Sequence, residues 1–274
     1  MNINDEIELI YISSRAQLLQ HFDGISELFA ESFNKPLDKA LWHWAYMDNP
    51  FGDPLVAIAL YHGRVVGHYA VVPMDLENGS EKLTGFLSMT TMVAVDFRIH
   101  KLFQRLAEMV YERIKQLEVP AIVFGFPNNN SAPGFIKRLG WTISEDYKVV
   151  SAKPNQMKIV ASLIGSLLSQ NSYTLNLEHQ PTKKWRISKP NQNWIYEGGL
   201  GLKPIGTECD LMHITDTQRL INTEFVNSVN MILPVTDLQL ENLEVSFPYR
   251  FGYRLFNTEQ KPNLFVQMSM SDIF

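Results

Sequence analysis

The spacing of apolar residues changes several times along this chain, and each change marks an element. Residues 6–12, rich in Ile, Leu and Tyr, read as a first strand, and Ser13 or Ser14 can cap the next segment by accepting an orphan N–H. Leu18, Leu19, Phe22, Ile25, Leu28, Phe29 and Phe33 then recur at three- and four-residue spacing, which predicts a helical hairpin. A second helical pattern covers about 38–47, with Leu41, Trp44 and Ala45 inward, and Asn49-Pro50 ends it. Apolar, β-branched runs at 55–60 and 65–73 flank Tyr61-His62-Gly63-Arg64 and predict an antiparallel hairpin. A long strand is expected at 85–95. The stripe Leu102, Leu106, Met109, Val110, Ile114 and Leu117 is helical, and the short apolar run 121–126 fits a strand buried on both faces. Strand, crossover helix and strand predict a parallel pair.

Pro127-Asn-Asn-Asn130 is a loop, 132–139 a short helix stopped by Gly140, and 141–147 the next strand. One α/β unit closes there, which places a domain boundary near 150: an N-terminal domain of 1–150 and a smaller α+β domain of 151–274. In the second part a helix is expected at 153–170, a connection at 169–181, strands at 194–197, 203–214 and 264–270, and a helix at 217–231. Trp44-Ala-Tyr-Met-Asp-Asn-Pro50 is faintly echoed by Trp185-Arg-Ile-Ser-Lys-Pro190. This reads either as a repeat or as the chance coincidence of two aromatics and two prolines.

Composition narrows the function classes. The 274 residues are 45% hydrophobic and 19% charged, ordinary for a globular chain. Twenty-four basic residues against 29 acidic ones give a formal charge of −5, which argues against general affinity for nucleic acid or anionic lipid. A single cysteine, Cys209, rules out an intrachain disulfide and any cysteine-rich zinc site. No metal-ligand spacing, no membrane span and no leader-like start are evident, so a cytoplasmic, metal-free protein is expected.

Two segments carry candidate chemistry. In Thr91-Met-Val-Ala-Val-Asp-Phe-Arg98-Ile-His-Lys-Leu-Phe103 a strand runs into a helix through a basic turn. Arg98, His100, Lys101 and Arg105 there oppose the helix dipole, which fits either a phosphate site or a solvated helix face. The second, Gly125-Phe-Pro-Asn-Asn-Asn-Ser, is an amide-rich loop at the C-terminal end of a parallel strand, where open α/β sheets hold ligands and where asparagine also serves as turn chemistry. His43 and His68 read as packed or interfacial, and Cys209 as a small core residue.

The order of elements and these two segments resemble the GNAT superfamily of N-acetyltransferases: a mixed α/β twisted sheet flanked by helices. The likeness is closest to bacterial two-domain members that carry a Trp-x-Tyr-x-x-x-Pro segment, here Trp44 to Pro50, and a Gly-Phe-Pro-Asn segment, here Gly125 to Asn128. It covers about 5–150, and the second half is similar to an incomplete second repeat. The resemblance implies acetyl-CoA as co-substrate, with backbone groups of Met92, Val93 and Val95 on pantetheine and the turn Arg98-Ile99-His100-Lys101-Leu102-Phe103 around the pyrophosphate. Arg98 fits the family's pattern, whereas Lys101 and Phe103 stand at its glycine or small-residue positions and Ile99 at a frequent extra glycine. Asn129 takes the place of the family's Asn toward CoA, and Ile136 that of its proton-donating Tyr. Ser88 and Thr90, with Thr91, are left to orient the acceptor, expected to be the amine of a small molecule such as an amino sugar. A module of the same fold that binds a ligand or partner without catalysis is the other reading.

Overall fold

The computed structural model describes residues 3–234 and 243–272. Its first half runs α1 (Ile3–Glu6), β1 (Ile7–Ile12), α2 (Arg15–Gln20), α3 (Phe22–Phe33), α4 (Lys39–Tyr46), β2 (Leu55–Tyr61), β3 (Arg64–Pro73), β4 (Leu76–Glu77), β5 (Lys82–Val93), α5 (Leu102–Lys115), β6 (Ala121–Gly125), α6 (Ala132–Leu139) and β7 (Thr142–Ser144). The second half runs β8 (Tyr147–Ala152), α7 (Met157–Leu168), α8 (Gln180–Ile187), β9 (Ile195–Glu197), β10 (Leu200–Ile205), β11 (Glu208–Ile214), α9 (Thr217–Asn222), β12 (Val229–Pro234), β13 (Glu244–Pro248) and β14 (Phe251–Phe256).

Local chemistry accounts for the element ends. The Ser14 hydroxyl accepts the Gln17 N–H at 3.2 Å and starts α2; the Asp38 carboxylate accepts those of Ala40 and Leu41 and starts α4. His62 and Gly63, with φ of 47° and 79°, form the tight turn that gives the β2–β3 hairpin the twist of its strands.

Two mixed sheets result. The first has the order β1-β2-β3-β5-β6-β14-β7, with β4 beside β5; the second has the order β13-β8-β12-β11-β10-β9. The expected parallel pair is present, in register from Thr84↔Ala121 to Leu87↔Phe124. Helix α5 covers β2 and β3 with Leu102, Leu106, Val110 and Ile114, all buried. Of the two apolar cores among the described residues, the larger draws Trp185, Tyr196, Met212 and Phe251 from the second half into contact with the first.

The second half departs from the spacing-based expectations. The helix expected at 217–231 stops at Asn222, because the apolar residues after it pair with β8 as strand β12. The expected strand 203–214 is a hairpin turned at Gly206, whose φ is 58°. Residues 264–270 join by a single bridge from Leu264 to Tyr173 and end in a 3₁₀ turn at Met268–Met270. Helix α8 and strands β13 and β14 have no counterpart in the sequence-based expectations. Strand β14 lies between β6 and β7, antiparallel to both, so the first sheet is completed by the end of the chain.

The Trp-to-Pro echo has a physical counterpart. Trp44 closes α4 and Trp185 closes α8; their rings stack with centroids 4.9 Å apart and planes 15° from parallel. Each indole N–H donates to the other residue's carbonyl, at 2.6 Å from Trp44 and 2.9 Å from Trp185.

Candidate functional site

Past Leu87 and Phe124 the parallel strands part: β5 runs on to Val93, while β6 ends at Gly125 and turns into the Asn-rich loop. The gap is a cavity of about 770 Å³ lined by Ser88 to Val93 on one wall, by Gly125 to Asn128 with α6 on the other, and by Arg98, Phe103 and Asp272. Beyond Leu87 the cleft side of β5 has no strand partner among the described residues, so its backbone groups there are open to partners other than a strand, as the Val93 carbonyl is to the Arg98 side chain at 3.4 Å.

A bulge shapes that wall. Between the pairs His68↔Met92 and Ala70↔Met89, β5 has one residue more than β3, and Thr90 takes a φ of 56°. A β-branched residue in the left-handed region is strained, and such strain marks positions the surroundings over-determine. Here the fixing partner is His68, fully buried, with Nδ1 2.7 Å from the Thr90 carbonyl oxygen. A carbonyl only accepts, so Nδ1 carries the proton. Burial lowers the His68 pKa to about 4 and keeps the ring neutral.

Of the residues expected from sequence, Ser88, Thr90, Thr91, Met92, Val93, Arg98 and Phe103 line the cleft together. The others lie apart from its lining. Val95 and Ile99 point to solvent, 60% and 81% exposed; His100 bonds Asn4 at 2.8 Å; Leu102 is buried in the first turn of α5; Asn129 accepts a hydrogen bond from Arg250. Lys101 is exposed and begins α5 with a φ of 56°, the conformation that glycine adopts freely. Ile136 is half exposed on α6. His43 is exposed and pairs with Asp48, and Cys209 is half buried, its thiol pushed up to about 11 by burial and then by Asp210 and Glu208.

Two charged lining residues escaped the sequence-based expectations. Arg138, exposed on α6, faces the cleft opposite Arg98, and together they make its rim cationic. Asp272 reaches the cleft from the end of the chain and is the acidic residue in its lining. It sits on a buried cationic floor: Lys189 donates to its main-chain oxygen at 2.6 Å and Arg186 to that of Ser271 at 3.0 Å. Arg186 in turn lies over the rings of Trp44 and Trp185, at 5.0 and 5.3 Å. Burial lowers Arg186 to about 9, and burial followed by Arg186 lowers Lys189 to about 7. The Asp272 carboxyl is raised by burial, with Lys189 opposing. No group of three His, Cys, Asp or Glu able to hold a metal occurs among the described residues, and none of their helices is long and apolar enough to cross a membrane.

The fold and this cleft define a mixed α/β protein whose ligand space opens between two splayed parallel strands. Residues 14–144 match the family described as the acetyltransferase (GNAT) domain. Solved structures share the fold. A GCN5-related N-acetyltransferase from Kribbella flavida is similar at TM-score 0.60 and 12% identity, over 92% of this chain and 72% of that one. Another GCN5-related N-acetyltransferase, from Anabaena variabilis, gives 0.56 and 11%, over 90% and 72%. Eis1 from Mycobacterium abscessus gives 0.56 and 10%, over 91% and 73%. No curated protein matches the chain by sequence.

Proposed function

We propose that the protein transfers an acyl group, acetyl from acetyl-CoA, to the amine of a small molecule. The observation that carries this reading is the parting of β5 from β6 after Leu87 and Phe124, which leaves a strand edge without a strand partner among the described residues between two rim arginines. The amides of pantetheine suit that edge, and a diphosphate suits Arg98, Arg138 and the start of α5. At Lys101 the backbone already has the glycine-like conformation, and the lysine adds a point charge.

In the reaction the lone pair of a neutral amine attacks the thioester carbonyl carbon. A C–N bond forms, the C–S bond breaks, and the pair goes to sulfur as thiolate, which takes a proton from solvent. The proton lost by the amine goes to Asp272, the carboxyl in the cleft lining, and from there to water. Ser88 and Thr90 orient the acceptor. We also propose the division near residue 150, where the chain passes from one sheet to the other at β8, with β14 returning to the first. Acceptor selection then falls to the floor built from both halves.

Acetyl-CoA consumption in the presence of amines, followed as free thiol, tests this: amine-dependent release is expected, and its absence across amino sugars and polyamines contradicts it. The second reading, binding without turnover, is favoured by Ile136, which puts no proton donor at the family's Tyr position. Saturable acetyl-CoA binding without thiol release selects that reading.

A further inference from the structure

The chain crosses from the second sheet to the first in two residues. Strand β13 ends at Pro248 and β14 begins at Phe251, so Tyr249 and Arg250 make the connection. Tyr249 is buried, and its N–H ties the crossing to β8 by donating to the Tyr147 carbonyl at 3.0 Å. Both side chains reach the loop between β6 and α6, which forms one wall of the cleft. The Tyr249 ring stacks on Phe126, with centroids 4.9 Å apart and planes 25° from parallel, and the Arg250 guanidinium donates to the Asn129 side chain. Glu145 holds Arg250 from its other side, 2.7 Å from Nε. Within the loop the Asn128 side-chain oxygen accepts the N–H groups of Asn130 and Ser131, each at 3.0 Å.

Tyr249 makes a second contact, through its hydroxyl. Its Oη lies 2.5 Å from Ser271 Oγ, and Ser271 precedes Asp272, the carboxyl in the cleft lining. A phenylalanine would stack on Phe126 as well as a tyrosine does, so the stack alone does not call for a hydroxyl. Burial, followed by the charge of Asp272, raises the Tyr249 hydroxyl above its ordinary value, so it bonds as a neutral group. Arg186 and Lys189 hold the carbonyls of Ser271 and Asp272 from the floor. Tyr249 holds the Ser271 side chain from the wall that Phe126 lines.

We propose that Tyr249 and Arg250 are positioning residues that set two sides of the cleft against each other. Arg250 fixes the β6–α6 loop through Asn129, and Tyr249 fixes Asp272 relative to that loop through Ser271. This assignment rests on the acyl-transfer reading, in which the loop takes the thioester arm and Asp272 takes the proton of the amine. Proton transfer needs its acceptor within hydrogen-bond reach of the attacking amine, and a displacement of about 1 Å costs up to about a hundredfold in rate. A connection of two residues leaves the ends of β13 and β14 little freedom to part, so the crossing suits the task.

The test uses the full chain with acetyl-CoA and with glucosamine and spermidine as acceptor probes. Tyr249→Phe keeps the ring stack and removes the hydroxyl; it is expected to lower kcat about 5- to 20-fold while the calorimetric Kd for acetyl-CoA stays within about twofold. In an Asp272→Asn background the same substitution is expected to add less than about twofold, since both act on one proton transfer. Arg250→Gln is expected to do the reverse, weakening acetyl-CoA about 3- to 10-fold with kcat within about twofold, and Arg250→Lys to restore part of that affinity. Ser271→Ala removes the Tyr249 bond from its other end and is expected to reproduce the kcat loss, which keeps the test decisive where Tyr249→Phe fails to fold. A wild-type kcat in Tyr249→Phe, full additivity with Asp272→Asn, or an affinity loss as large as the loss in kcat overturns the role of Tyr249. An unchanged acetyl-CoA affinity in Arg250→Gln overturns that of Arg250. A wild type that binds acetyl-CoA but releases no thiol with either probe removes the acyl-transfer reading and the Tyr249 assignment with it, while the Arg250 assignment is still decided by affinity; a wild type that does not bind acetyl-CoA removes both.

Discussion

Lys101 ties local backbone energetics to ligand binding. A lysine in the left-handed region costs about 1 kcal/mol relative to glycine, and in the proposed function this turn is where a diphosphate would bind. Lys101→Gly is therefore expected to raise unfolding stability in urea by up to about 1 kcal/mol and to weaken CoA binding several-fold; a variant that binds CoA more tightly shows instead that the side chain obstructs the turn. Arg98→Ala and Arg138→Ala are each expected to weaken CoA about 5- to 10-fold in titrations at moderate salt, since both heads line the rim and charge-assisted bonds to phosphate are among the stronger ones. Arg98 was legible in the sequence because it stands in a turn at the end of a strand. Arg138 was not, because a basic residue in the last turn of an amphipathic helix is what the dipole favours anyway. Asp272 was further out of reach: it lies more than 180 residues from Thr90, and no local pattern links them.

Among the elements, the first half follows its own periodicity closely. The hairpin, the parallel pair and the helices of that half are set by local alternation, capping residues and turn chemistry. Strand β14 is different, since its place between β6 and β7 depends on edges formed over a hundred residues earlier. Helix α8 escaped for a related reason: it is short and polar on average, and burial of Trp185 and Arg186 fixes it from outside. The reciprocal Trp44–Trp185 bonds join α4 to α8, and each substitution to Phe removes one of these donors together with part of the ring stack, although the Trp185 carbonyl keeps the Ser188 hydroxyl at 2.9 Å. Trp185→Phe and Trp44→Phe are each expected to cost about 2–4 kcal/mol in chemical denaturation, and the double variant less than their sum. Full additivity would mean that the two helices are held independently.

For the whole molecule, two buried histidines make stability depend on pH. Burial holds His68 at about 4 and His213 at about 3, against 6.5 for a free side chain. The folded state then binds fewer protons than the unfolded chain below pH 6.5, so stability is complete above that value and falls as the pH drops toward 4. The loss is several kcal/mol for the pair. Urea midpoints measured from pH 7.5 to 4.5 are expected to fall steadily below 6.5, with a flatter profile in His68→Gln/His213→Gln; a flat wild-type profile contradicts the burial of both rings. The central claim is that the cleft between the parted strands takes an acyl-CoA. Calorimetric titration of the full chain with acetyl-CoA at moderate salt tests it most directly. One saturable site in the micromolar range, weakened by Arg98→Ala/Arg138→Ala, is the predicted result, and no binding up to millimolar acetyl-CoA would contradict it.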